Sequence, residues 1–370
     1  LISQQAPLRI GVVGPLPPPS GGMANQTLQL IGLLEGEGHQ VEVIQVNAPY
    51  TPAWAGKLPG LRALFRLVPY LAHLWGAAGR VQLFHVMANS GWSWHLFAAP
   101  AIWIGHLRGC PVVVNYRGGE ADVFMQKSQR WVRPSLLRAD AVVVPSGFLE
   151  HVFSKYGVPT TVVPNIINLE RFSAAVPGAA VPLRVLVARN LEPIYDNETA
   201  LRAFALVAAR IPGATMVVAG SGPLRADLEQ LARDLGVAAA VTFTGRVDNA
   251  GMGALYRGAD VMLNPSTVDN MPNSVLEALA SGVAVVSTDV GGVPFMVEDG
   301  KTALLVPPRA PQAMADAMLR LADSPELASR LRAAGLSYVQ QYAWPGVRPR
   351  LLAVYRSVTN TSLAKVASHS

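Results

Sequence analysis

Two carboxylates and a run of polar residues stand together in Asn264-Pro265-Ser266-Thr267-Val268-Asp269-Asn270-Met271-Pro272-Asn273-Ser274-Val275-Leu276-Glu277-Ala278. The segment follows an apolar strand-like run and opens a helical pattern, so its backbone amides fall at a helix N-terminus. Unpaired N–H groups and the helix dipole attract anions there. Asn273 or Ser274 is placed to cap the helix, with Asp269 in the preceding loop and Glu277 in the first turn. A sugar needs acceptors for its hydroxyls and a diphosphate needs donors; this one loop supplies both. Ordinary capping, with a glutamate complementing the dipole, gives the same pattern.

A second anion site is expected at Gly14-Pro15-Leu16-Pro17-Pro18-Pro19-Ser20-Gly21-Gly22-Met23, between the first strand and a helix beginning near Ala24. A stiff surface turn is the alternative. No G-x-G-x-x-G is present, which removes the main support for a dinucleotide dehydrogenase. His85, His95 and His106 fall on different elements without the spacing of a zinc site, so they read as core or surface histidines, and no Asp-x-Asp occurs. Leu61, Leu64, Phe65, Val68, Leu71 and Trp75 recur at helical spacing beside Arg62 and Arg66, with Pro69 starting or kinking the helix. That helix either packs on its own sheet or lies on a membrane surface.

The elements that must position these residues form two series. Strands are expected at Leu8–Val13, Gln40–Val46, Val81–Val86, Pro111–Asn115, Ala141–Pro145 and Thr161–Pro164, with helical segments between them. A second series follows at Leu183–Ala188, Thr215–Ala219, Ala240–Thr244, Val261–Asn264, Val283–Ser287 and Ala303–Val306. This alternation predicts an α/β fold of two Rossmann-like, doubly wound parallel-sheet domains facing a cleft that holds the ligand. The expected division is a first domain at 1–172, a linker at 173–182, a second domain at 183–345 and a helical tail at 346–370 that returns to the first domain; the resemblance given below makes the first the acceptor domain and the second the nucleotide-sugar domain. The stretch from Pro311 to Ser370 is expected to be mostly helical, with breaks at Pro325, Gly335, Pro345 and Pro349.

A chain of 370 residues suits two cores. Its single cysteine, Cys110, excludes an internal disulfide. The opening Leu1-Ile2-Ser3-Gln4-Gln5 has no signal-peptide order, and the longest apolar stretch, Leu96 to Gly105, falls short of the roughly 20 residues that span a bilayer. A cytoplasmic protein is expected. Between residues 55 and 140 there are ten Lys or Arg against three acids. Such a surface attracts anionic lipid or a phosphorylated substrate, and nucleic acid ranks last because no zinc-finger spacing or aromatic RNA-binding signature accompanies it.

Several blocks in order give the chain a resemblance to family 4 glycosyltransferases, retaining enzymes of the GT-B fold. They are Gly21-Gly22, Asp140-Ala141-Val142-Val143-Val144-Pro145-Ser146, Val163-Pro164-Asn165, Ala219-Gly220-Ser221-Gly222-Pro223, Phe243-Thr244-Gly245-Arg246 and the loop above. The family pair of glutamates separated by seven residues is here Asp269 and Glu277, and the resemblance assigns them to donor sugar hydroxyls and ribose. It implies substrate contacts at Gly21, Gly22, Gly220, Arg246, Val247, Asn270, Met271, Pro272, Asn273, Ser274 and Val275. The family's diphosphate-binding Arg is matched by Arg189, but the Lys that follows it has no counterpart in Asn190-Leu191-Glu192-Pro193-Ile194-Tyr195-Asp196-Asn197.

Many relatives carry a His near the reacting sugar where this chain has Arg117, in Asn115-Tyr116-Arg117-Gly118-Gly119-Glu120. An arginine is no base at neutral pH, yet it stabilises charge on a leaving diphosphate; pairing with Glu120 or Asp122 is the structural alternative. The resemblance thus implies metal-independent transfer from a nucleotide sugar, UDP-linked, to a glycan or lipid-linked acceptor. Cell-surface polysaccharide synthesis at the inner face of the membrane is the expected setting. A nucleotide-sugar epimerase of the same fold, or a degenerate transferase acting as a binding partner, are the rival readings.

Overall fold

Inner strands such as Val112–Tyr116 and Ala284–Thr288 are rich in valine and buried along their length because a parallel sheet with helices on both faces buries both faces. The computed structural model describes residues 6–18, 21–57, 62–172 and 182–367. It divides into two compact units, Leu1–Ile166 with Val347–Ser370, and Ile167–Gly346.

The first unit holds β1 (Arg9–Gly14), β2 (Gln40–Gln45), β3 (Leu83–Ala88), β4 (Val112–Tyr116), β5 (Ala141–Val144) and β6 (Thr161–Val162). All pair in parallel, in the order β2-β1-β3-β4-β5-β6. This is the flavodoxin-like order with one strand added, and it reverses between β1 and β3. β3 and β4 are buried along their whole length. Helices Arg62–Ala77, Ala99–Arg108 and Ala121–Leu136 contribute Leu74, Ile102 and Met125 to its core against Phe84 and Val114.

The second unit holds β7 (Arg184–Val187), β8 (Thr215–Ala219), β9 (Val241–Gly245), β10 (Val261–Asn264), β11 (Ala284–Thr288) and β12 (Leu304–Val306). The parallel order is β12-β11-β10-β7-β8-β9. Counted from β7 this is the Rossmann order, which reverses between β7 and β10. Phe204, Met314 and Met318 fill one face of the sheet, and Val275, Leu279 and Tyr256 the other. Ligands of such sheets bind beyond the carboxyl ends of the strands flanking the reversal.

Each of the twelve expected strands is present with ends shifted by no more than two residues. The expected boundary at 172 moves back to Ile166. Ile167 N–H donates to Tyr342 O at 2.9 Å and Phe172 packs edge-on against Tyr256, which ties 167–172 to the second unit. The linker expected at 173–182 lies outside the described residues except for Pro182, and so does Leu61 of the apolar stripe.

The helix carrying that stripe runs as Arg62–Ala77 straight through Pro69. Of these breaks, Pro325 and Pro345 stand at helix starts, as the first residue of Pro325–Tyr338 and the second of Trp344–Ala367. Gly335 lies inside the first of those helices and Pro349 inside the second, so both prolines of Trp344–Ala367 fall within its first two turns. Early in a helix a proline forfeits few intrahelical bonds, which accounts for their tolerance. From Val347 onward that last helix belongs to the first unit.

Candidate active site

β7 and β10 flank the strand-order reversal of the second unit, and the residues that leave their carboxyl ends meet there. Arg189 follows β7. Its guanidinium donates to Ser266 Oγ at 3.0 Å and to Ser274 Oγ at 3.3 Å, and it is ion-paired with Asp269. Tyr195 supports the guanidinium from below, 4.2 Å from its ring centroid. Nε of Arg189 is buried and has no hydrogen-bond partner.

The loop after β10 is built to hold this arrangement. Ser266 Oγ lies 3.1 Å from Asn264 Oδ1 and 3.2 Å from Asp269 Oδ2 with one proton to give, while Thr288 Oγ1 donates to Ser266 O at 2.6 Å. Gly292 N–H donates to Asp269 O at 2.8 Å. Gly291, at φ +54, passes so close to that carbonyl that a Cβ would overlap it. Gly220 does the same at Arg189: its Cα rests against the Arg189 carbonyl, and Leu191 N–H donates to Ser221 O at 3.1 Å. The Ala219–Pro223 block therefore shapes the Arg189 loop through backbone packing.

Glu277 sits apart from this pair but is linked to it. Its Oε2 is 2.9 Å from the hydroxyl of the fully buried Tyr256, which also lies 3.2 Å from Ser274 O. One chain of contacts thus runs Asp269, Arg189, Ser274, Tyr256, Glu277. Burial raises the carboxyl of Glu277 above its ordinary range, against the pull of Tyr256, Arg171 and Arg189. Burial raises Asp269 likewise, against Arg189, Ser266 and the Asn270 amide.

Three expectations for this loop are corrected. The helix is Asn273–Ala280, and its N-cap is Pro272, with no side-chain cap. Asn273 and Ser274 are its first two residues rather than caps, because Pro272 is the last residue held in extended backbone, and Ser274 Oγ is turned to Arg189. Glu277 consequently lies in the second turn. Val275 N–H already donates to Pro272 O at 3.1 Å, and the side chains of Met271 and Val275 belong to the core.

Other expected residues stand elsewhere. Arg246 and Val247 follow β9 at the edge of the second sheet, Arg246 exposed and Val247 half-buried. Gly21 is the N-cap of helix Gly22–Gly36 in the first unit, in extended backbone with open space where a Cβ would stand. Tyr195, Ser266 and Tyr256 escaped the sequence reading. An aromatic six residues from a candidate phosphate-binding arginine was the available signal for Tyr195; Tyr256 reads as one more core position.

The model of group 1 glycosyl transferases matches residues 182–324, and that of glycosyltransferase family 4 matches residues 20–171. The chain belongs to the family 4 glycosyltransferases. It is an enzyme of the hexosyltransferase type. The phosphatidyl-myo-inositol mannosyltransferase of Mycobacterium tuberculosis is 26% identical, over 97% of this chain and 99% of its own length. A GDP-mannose-dependent alpha-(1-6)-phosphatidylinositol monomannoside mannosyltransferase of the same organism is 28% identical, over 92% and 96%. The structure of Anabaena Alr3699/HepE in complex with UDP matches with a TM-score of 0.73 at 18% identity, covering 95% of this chain and 100% of that one, a likeness of fold.

In the first unit of the transferase, Arg117 follows β4. It pairs with neither Glu120 nor Asp122: Asp122 Oδ1 accepts from Tyr156 Oη at 2.8 Å and its Oδ2 from Gln126 Nε2 at 3.3 Å, and Glu120 is exposed at φ 49. The guanidinium instead meets the amide oxygens of Asn115, Gln26 and Asn165. Burial lowers its pKa to about 10, which leaves it a cation at neutral pH.

Burial, and then the nearby Arg117 charge, push the imidazole of His85 down to about 3. An unfolded histidine titrates near 6.5, so below that pH the unfolded chain binds a proton that the folded chain refuses. The stability this group confers is present above about pH 6.5 and is lost on descent toward 3, by up to about 1.4 kcal/mol per pH unit. The raised carboxyls of Asp269 and Glu277 act in the opposite sense and offset part of it. Denaturant melts are therefore expected to show a steeper fall between pH 6.5 and 5 for the parent protein than for His85→Gln. Parallel curves would contradict a buried neutral imidazole.

Proposed function

We propose that this transferase moves a hexosyl group from a nucleoside-diphosphate sugar, UDP-linked, to a glycan or lipid-linked acceptor, here a lipid-linked one, with retention at the anomeric carbon and without a metal. The observation that carries the reading is Arg189 at the strand-order reversal of the second unit, bonded to both the loop acid and the first turn of the helix after it. The C1–O bond to the β-phosphate breaks with its electron pair passing to the diphosphate. The acceptor oxygen bonds C1 on the same face, and its proton passes to the departing phosphate oxygen. Arg189, with the start of helix Asn273–Ala280, holds the growing negative charge. Asp269 accepts from sugar hydroxyls and Glu277 from the ribose. Arg117 is assigned to the charge on a phosphate oxygen.

Cell-surface polysaccharide assembly at the inner face of a membrane is the proposed setting. Leu64, Val68 and Trp75 are exposed along helix Arg62–Ala77, and the guanidinium of Arg108 covers the Trp75 ring at 4.9 Å. Such a face suits an anionic lipid surface. The M. tuberculosis relatives are named for phosphatidylinositol acceptors, which supports a lipid acceptor here.

The test is transfer in EDTA from UDP- and GDP-hexoses into vesicles containing phosphatidylinositol, with neutral vesicles as the comparison and co-sedimentation of the protein recorded in both. Metal-free transfer from a UDP-hexose, with salt-sensitive sedimentation on anionic vesicles, is expected. Activity restored only by magnesium or manganese would overturn the metal-free reading. Altered free sugar without transfer would favour an epimerase, and nucleotide binding without turnover a binding partner.

A further inference from the structure

A guanidinium has five N–H donors and no acceptor, so each group hydrogen-bonded to it must present a lone pair. Arg117 Nε donates to Asn115 Oδ1 at 3.1 Å, which turns Nδ2 of that amide toward His85 Nε2, also at 3.1 Å. An amide nitrogen only donates. His85 Nε2 therefore accepts, the imidazole proton sits on Nδ1, and Nδ1–H is aimed at the Tyr355 hydroxyl oxygen 2.9 Å away. One cation thus fixes the orientation of an amide, the tautomer of a histidine and the acceptor role of a tyrosine in turn.

His85, Asn115 and Tyr355 are each 2% exposed or less, so water cannot substitute for any member. They come from β3, β4 and the helix Trp344–Ala367. On its other side Arg117 Nη1 donates to Gln26 Oε1 at 3.3 Å and to Asn165 Oδ1, and Gln26 is itself anchored by Nε2–H to Ile166 O at 2.9 Å. Among the described residues Arg117 forms no ion pair. Its charge is aimed by neutral oxygens and left uncancelled.

We propose that His85 and Tyr355 are positioning residues for glycosyl transfer, which act by holding Arg117 through Asn115. This rests on the reading that Arg117 meets a phosphate oxygen in the reaction. The relay brings the returning C-terminal helix into the chemistry of the first unit without any contact of its own with substrate. A histidine protonated on both nitrogens would set Nε2–H against the Asn115 NH2 and break the relay, so the imidazole must stay neutral.

The full chain labelled with nitrogen-15 tests this directly. His85 is expected to show a protonated Nδ1 and a bare Nε2 from pH 5 to 8, and Arg117 Nε–H to exchange slowly with water. His85→Leu should speed that exchange tenfold or more and Tyr355→Phe less so, whereas His85→Gln, whose amide keeps one acceptor and one donor, should stay within about threefold. With the donor the protein turns over, His85→Leu is expected to lower kcat tenfold or more and leave donor KM within threefold. In an Arg117→Ala background it should lower kcat no further. A proton on His85 Nε2, unchanged Arg117 exchange in His85→Leu, or kcat losses that add to that of Arg117→Ala would overturn the proposal. Wild-type kcat in Arg117→Ala would instead overturn the role of Arg117 itself, and the exchange rates would still report whether the relay holds it. Should His85→Leu fail to fold, Tyr355→Phe and His85→Gln carry the same comparison.

Discussion

Arg189→Ala is expected to lower transfer by about 10²-fold or more, the scale set by removing one preorganised donor from developing negative charge. It also leaves Asp269 buried beside Ser266 with its cation gone, and breaking one side of a buried pair costs about 3–5 kcal/mol. The two effects separate in the double variant. Arg189→Ala with Asp269→Asn removes the stranded charge, so stability should recover by half or more while turnover stays low. Chemical denaturation and initial rates on the same preparations decide this. A single variant with the parent's stability would show that the ion pair contributes nothing to the fold, and a double variant with restored rates would remove Arg189 from the chemistry. Glu277→Ala is expected to raise the Kd of the nucleoside diphosphate, and Asp269→Ala to act mainly on kcat.

Gly220→Ala is expected to be as damaging as the loss of Arg189, although residue 220 presents no side chain to a ligand. A Cβ there would occupy the space of the Arg189 carbonyl, which is backbone and cannot swing aside. Overpacking of this kind costs about 1–3 kcal/mol, and a displacement near 1 Å of a charge-bearing group costs about 10²-fold in rate. Gly21→Ala is the control, since nothing stands within 4 Å of its Cβ and its backbone is extended. Its melting temperature should match the parent's, and any loss must then fall on ligand binding. Equal stability and equal nucleotide affinity in Gly220→Ala would show that the Arg189 loop is adjustable.

The strands were legible because apolar β-branched runs bounded by turn residues have few other uses in a chain of alternating helices. The order of the strands was not, since local pattern carries no record of which neighbour each strand takes; the reversal between β7 and β10 emerges only from pairing. In the candidate site the residue types were legible and their partners were not. Asp269 and Glu277 read as two acids facing one ligand, but one is closed by Arg189 and the other by Tyr256, from a helix 21 residues earlier. Local spacing predicted Asn273 or Ser274 as a cap and missed that Pro272 takes the position. Arg117 was sought beside the nearest acids in sequence; its partners Gln26 and Asn165 stand 91 and 48 residues away. Contacts at such separations leave no periodic trace.

The return of the last helix to the first unit sets an order of completion during synthesis. His85 emerges from the ribosome 270 residues ahead of Tyr355, a delay of about 14 to 54 seconds at elongation rates of roughly 5–20 residues per second. Residues 167–346 are contiguous, so the second unit has its whole sheet available before Val347 is made. The first unit, begun earlier, holds an imidazole that lacks its acceptor until that last helix is made. The unit begun first is the unit finished last, because the hydroxyl that closes it follows the whole of the second unit in the chain.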